Sequence, residues 1–152
     1  MNENTIKLQL LDHLNRLLDE RIKLAERAIA SAKESRDSDT KSSAGDKYET
    51  GRAMMQMELD KSQVQLSKAR SLKNDLAQIN PTKKNRQAEF GSLVICEQGN
   101  YFLSVAIGKI SVDQTTYFCL SLVSPLGQVL QGKIVGDRVS FNGQIIVIEA
   151  IV

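Results

Sequence analysis

Two separated runs of apolar residues at helical spacing constrain this chain more than any other feature. Leu11, Leu14, Leu18, Ile22, Ala25, Ile29 and Ala32 fall three or four positions apart. So do Met55, Leu59, Leu66, Ala69, Leu72, Leu76 and Ile79, with Ser62 at the one remaining seam position. Each run draws a single apolar stripe along a long helix whose other faces carry Lys, Arg and Glu, and neither stripe can bury itself. The residues between them, Arg36 to Asp46, are too polar and too small to supply a core. The two helices are therefore expected to fold back on each other as an antiparallel coiled-coil hairpin over residues 1–80, with its tip near 38–51. Arms of this length make a rod about 50 Å long at 1.5 Å per residue.

Asn80-Pro81-Thr82 ends the second helix, because proline lacks an amide hydrogen and disfavours a helical residue before it. Residues 81–87 then read as a short basic linker. Beyond it the composition changes: seven of nine glycines and six of seven aromatic residues lie after residue 87, whereas residues 1–86 hold 17 Lys+Arg against 13 Asp+Glu. Ser92–Cys96, Tyr101–Ile107, Tyr117–Val123, Arg138–Phe141 and Gln144–Ile151 are β-branched or aromatic runs separated by turn residues, and they read as strands. Asn142-Gly143 is a hairpin signal, since a type I′ turn needs positive φ at both central residues. Ser124-Pro125 interrupts the strand rhythm with a helix cap followed by proline at the first helical position. Residues 88–152 are thus expected to form a small antiparallel sheet carrying one short helix, which makes the whole chain α+β.

Composition excludes several classes. With 20 Lys+Arg against 18 Asp+Glu, the chain is neither an acidic disordered tail nor a basic nucleic-acid arm. Its apolar runs fall short of a membrane span and its N-terminus lacks the pattern of a secretory leader, so a cytoplasmic protein without membrane contact is expected. Cys96, Cys119 and His13 offer no metal-ligand spacing, and both thiols are expected to be packed. His13 reads as a packing or surface residue. The Lys and Arg of the helices read as a solvated face, so direct DNA binding is not expected.

Two motifs carry a resemblance. Ser124-Pro125-Leu126-Gly127, Leu130, Gly132-Lys133, and Val135-Gly136-Asp137 with Val139 resemble at matching spacing a signature of the bacterial GreA/GreB transcript-cleavage factors, which there belongs to a domain of FKBP-like fold. Gly45-Asp46-Lys47-Tyr48-Glu49 resembles the Gly-Asp-x-x-Glu element at the tip of that family's hairpin. The resemblance covers nearly the whole chain. It implies a transcription elongation factor that binds RNA polymerase through its secondary channel and stimulates the polymerase to cleave backtracked transcripts, with no enzymatic activity and no bound cofactor of its own.

In that reading Asp46 and Glu49 act in the polymerase active site, where they help hold a magnesium ion beside the transcript 3′ end. Residues 88–152 grip the polymerase in the region of Ser124, Pro125, Leu126 and Gly127. The chemistry is sound, because magnesium takes few protein carboxylates and two-metal phosphodiester cleavage needs one ion to activate water. A plainer reading makes Asp46 and Glu49 first-turn acids favoured by the helix dipole. The basic residues Lys47 and Arg52 depart from the family pattern and leave residues 41–52 with a net charge of +1. They point to the alternative, a secondary-channel regulator or inhibitor that does not cause cleavage. Met54, Met55 and Met57 are read as core filling, with a flexible docking surface as the other option.

Overall fold

A computed structural model describes residues 3–38 and 46–152, with the backbone alone for residues 3, 4 and 46–48. Helix α1 spans Glu3–Ser38 and helix α2 spans Asp46–Ala77. Every seam position named above is buried or half-buried, including Ser62. Close contacts divide the chain into two units, residues 15–73 and residues 1–14 with 74–152.

In the first unit the helices are antiparallel, as their cross-links show. Arg36 Nη1 donates to Gln56 Oε1 at 2.9 Å, Arg70 Nη2 donates to Glu26 Oε1 at 3.4 Å, and Lys73 pairs with Asp19. Residues rise along one helix as their partners fall along the other. The two ion pairs, both at the surface, contribute little energy each, so the buried seam of Leu18, Ala25, Ala32, Leu59 and Ala69 holds the arms together.

The second unit contains a six-stranded sheet formed by β1 (Leu93–Cys96), β2 (Asn100–Leu103), β3 (Gly108–Val112), β4 (Thr115–Leu120), β5 (Arg138–Phe141) and β6 (Gln144–Ile151). Its order is β3-β4-β2-β1-β6-β5. The sheet is mixed rather than wholly antiparallel, because β2 and β4 run parallel, with Tyr101 opposite Phe118 and Leu103 opposite Leu120. Strand β3 was not evident in the sequence. It occupies the sheet edge, paired with β4 through the Asp113-Gln114 turn, where both residues have positive φ. The run Tyr101–Ile107 is not one strand: it ends at Leu103, and Ile107 N turns back to Val105 O at 2.9 Å. Asn142 and Gly143 both have positive φ, as a type I′ hairpin requires.

Helix α3 (Pro125–Leu130) packs on a core of Val94, Cys96, Leu103, Leu130, Val139, Ile146 and Ile148. The first turns of α1 belong to this unit. Lys7 is completely buried there, and Leu10, Leu14, Leu76 and Ile79 are buried with it.

Candidate functional site

Asp46 is the first residue of α2 and Glu49 lies three residues along the same helix, so both occupy its first turn. Glu49 and Arg52 are exposed. Gly45 and the side chains of Asp46 and Lys47 lie outside the described residues. Because the arms run antiparallel and Arg36 is cross-linked to Gln56, the head of α2 stands at the turn end of the hairpin. Gln56 is a residue that sequence reasoning missed. It accepts from Arg36 and donates to Asp60 Oδ1 at 2.9 Å, which ties the last turn of α1 to α2. No periodicity marks such a residue, because polar cross-links sit beside the seam.

The donor set fits magnesium only as a shared ligand. Two carboxylates on one helical turn cannot enclose an ion, and among the described residues no cluster of three or more His, Cys, Asp or Glu could hold one. Met54 and Met57 are mostly exposed, which corrects their reading as core filler, while Met55 alone turns into the seam. The difference is angular: residues 54 and 57 stand one and two positions before the seam residues 55 and 59, on the flank of the helix.

In the second motif nearly every residue has a local structural task. Ser124, in extended conformation, caps α3 by accepting from Gly127 N at 3.1 Å, and its hydroxyl donates to Ser121 O at 2.6 Å. A Cβ on Gly127 would meet Ser121 O at 2.2 Å, so glycine is required for the helix to lie against that segment. Gly132 and Gly136 have positive φ. Gly132 N donates to Ala88 O at 2.7 Å, and Asp137 Oδ2 accepts from Ile134 N at 2.8 Å. Leu126 is half-buried against the core, so of the four residues singled out for docking Pro125 is the exposed one.

The surface around α3 is more apolar than the motif indicates. Val123, just before the helix, is 79% exposed, and Ile134 and Val135, in the loop after it, are 52% and 54% exposed. Isolated exposed aliphatics are ordinary, but three bracketing one short helix make a candidate contact surface. Phe118, 37% exposed, stacks at a tilt on Tyr101 with ring centroids 5.8 Å apart.

No protein-family model matches this chain, and no curated protein matches it. A solved structure described as that of the transcription factor Gfh1 is similar to it at 15% identity and a TM-score of 0.31, over 97% of this chain and 94% of that one. Likeness at that level carries no weight here.

Cys96 and Cys119 are free and buried, as expected of packed thiols. Burial pushes the Cys96 thiol up to about 11, helped by Glu149, and the Cys119 thiol up to about 12, against a hydrogen bond with the Ser104 side chain. Neither is a thiolate near neutral pH, so neither is a nucleophile. His13 is half-buried on α1. No helix among the described residues is long and apolar enough to cross a membrane.

Proposed function

We propose that this protein binds RNA polymerase, enters its secondary channel with the helical hairpin and stimulates the polymerase to cleave backtracked transcripts. The observation that carries the reading is the carboxylate pair Asp46 and Glu49 on the first turn of α2, at the turn end of an antiparallel hairpin. Two further features support it. The Ser124-to-Val139 signature makes the cap, close approach and turns that it needs, and Val123, Ile134 and Val135 offer an apolar surface for a large partner. Docking then falls to the sheet domain and activity to the hairpin end.

A magnesium ion held jointly with the polymerase would supply an activated water and charge neutralisation at the scissile phosphate. Asp46 and Glu49 would be this chain's share of its ligands. What the chain itself contributes is placement, because a first-turn acid on a long helix is held on a stiff support. The protein alone would hydrolyse nothing.

The basic neighbours Lys47 and Arg52 favour a second reading, in which the hairpin occupies the channel and slows synthesis without cleavage. A stalled, backtracked elongation complex incubated with the protein and magnesium separates the two. Shortened transcripts support the cleavage factor, whereas intact transcripts with reduced synthesis support the regulator.

A further inference from the structure

Between α1 and α2, within residues 15–73, lies an open groove of about 550 Å³. Its floor is made of the buried Ala25 and Ala69 and the half-buried Leu72, where larger side chains in place of the alanines would close the gap between the arms, and the exposed Ala28 lines it as well. Leu24 stands on one bank and is 55% exposed, which leaves a large aliphatic surface facing water. The charges lining the groove have one sign: Arg21 comes from α1, Lys68 comes from α2, and no acid contributes. Residues 21–28 and 65–72 each span about two helical turns, or roughly 10 Å.

We propose that this groove docks an amphipathic helix of a partner protein that presents an apolar ridge between acidic flanks. The dimensions suit side chains at i, i+3 or i+4, and i+7 of a third helix lying along the hairpin. Acids on the two flanks of that helix meet Arg21 on one bank and Lys68 on the other. A second copy of this chain is the poorer occupant, since it would bring like charges together. A nucleic-acid strand would leave the alanine floor uncovered. Its lining includes no residue of the first turn of α2 or of α3, so its occupancy does not depend on the function proposed above.

The test uses the full-length chain and two synthetic helical peptides with the same leucine ridge, one flanked by glutamates and the other by lysines, followed by fluorescence anisotropy. The glutamate peptide is expected to bind saturably and at least tenfold more tightly than the lysine peptide. The double variant Arg21→Glu, Lys68→Glu should reverse that preference, and Leu24→Ser should weaken both peptides. Arg21, Lys68 and Leu24 are exposed, so far-UV circular dichroism should show unchanged helix content in these variants. Equal binding of the two peptides, no saturable binding, or a preference that survives charge reversal would overturn the proposal. So would concentration-dependent self-association abolished by Leu24→Ser, because the occupant would then be a second copy.

Discussion

Lys7 Nζ donates to the carbonyl of Val152 at 3.1 Å, a bond between residues 145 positions apart that ties the first helix to the chain beyond the last strand. The same ammonium donates to Lys83 O at 3.2 Å, and Asn85 Nδ2 also reaches Val152 O at 3.1 Å. Val152 in turn pairs with Leu93 of β1 through both its amide and its carbonyl. A buried lysine thus joins α1, the 81–87 segment and the edge of β1. Replacing it with methionine keeps the apolar stem and leaves Val152 O two other donors, so Lys7→Met should cost no more than about 1.5 kcal/mol. Lys7→Glu places an anion among carbonyl oxygens and should cost about 3 kcal/mol or more. Urea unfolding with hydrogen exchange read at the sheet amides distinguishes the two.

Alkaline stability depends in part on three buried groups with opposed signs, beside the half-buried Tyr101, whose hydroxyl is pushed up by burial and then by Cys96. The thiols of Cys96 and Cys119 titrate well above their ordinary value of 9.0. Their contribution is complete below pH 9 and is lost as pH rises toward their folded values, because the unfolded chain releases those protons first. Lys7 is lowered from 10.5 by burial, then by Lys83, with Glu89 pulling the other way. The folded chain sheds that proton first, so the lysine adds stability as pH rises toward 10.5. The melting temperature should therefore fall between pH 9 and 11, with each titrating thiol contributing at most about 1.4 kcal/mol per pH unit. A Cys96→Ala, Cys119→Ala variant should show a shallower fall, and Lys7→Met a steeper one. Parallel slopes in all three proteins would contradict the assignment.

The α3 motif predicts a graded series. Gly127→Ala drives a Cβ into Ser121 O and should cost about 3 kcal/mol or more, because the obstacle is backbone. Gly132→Ala meets nothing within 4 Å but forces alanine to φ +83, for a cost of about 1 kcal/mol. Ser124→Ala removes the cap, at about 1 kcal/mol. Thermal denaturation should place Gly127→Ala far ahead, with Gly132→Ala and Ser124→Ala close together behind it.

What the sequence disclosed and what it concealed divide along physical lines. The seams were legible because burial repeats with the helix: Leu18, Ala25, Leu59 and Ala69 are all buried where the spacing puts them. Asn142-Gly143 and Ser124-Pro125 were legible because their backbone demands are local. Strand β3 was hidden because only Ile110 in it is buried, so an edge strand shows little alternation. The parallel β2–β4 pairing was hidden because it depends on how residues 104–107 return the chain, which no period records. Lys7 reads as one more solvated cation among many; its burial comes from residues more than seventy positions away. At the hairpin end, the spacing of Asp46 and Glu49 on one helical turn was legible, whereas the cross-link by Gln56 was not.

The hairpin end gives the sharpest functional prediction. If Asp46 and Glu49 complete a metal site with the polymerase, Asp46→Asn with Glu49→Gln should abolish transcript shortening in backtracked complexes while polymerase affinity stays within about twofold. An amide keeps the shape of the carboxylate but is a far poorer magnesium ligand. Binding and activity would then separate, as expected when docking rests on the sheet domain. If Lys47 and Arg52 instead engage RNA phosphates, Lys47→Ala with Arg52→Ala should be the damaging pair, and the loss should vary with salt because each phosphate contact releases counterions. The salt series makes the comparison decisive, since loss of a shared metal ligand removes the chemistry at every ionic strength, whereas loss of a phosphate contact is felt most at low salt. Equal shortening by the wild type and the Asp46→Asn, Glu49→Gln variant would exclude the metal-ligand role and leave the non-cleaving regulator as the reading that the basic residues favour.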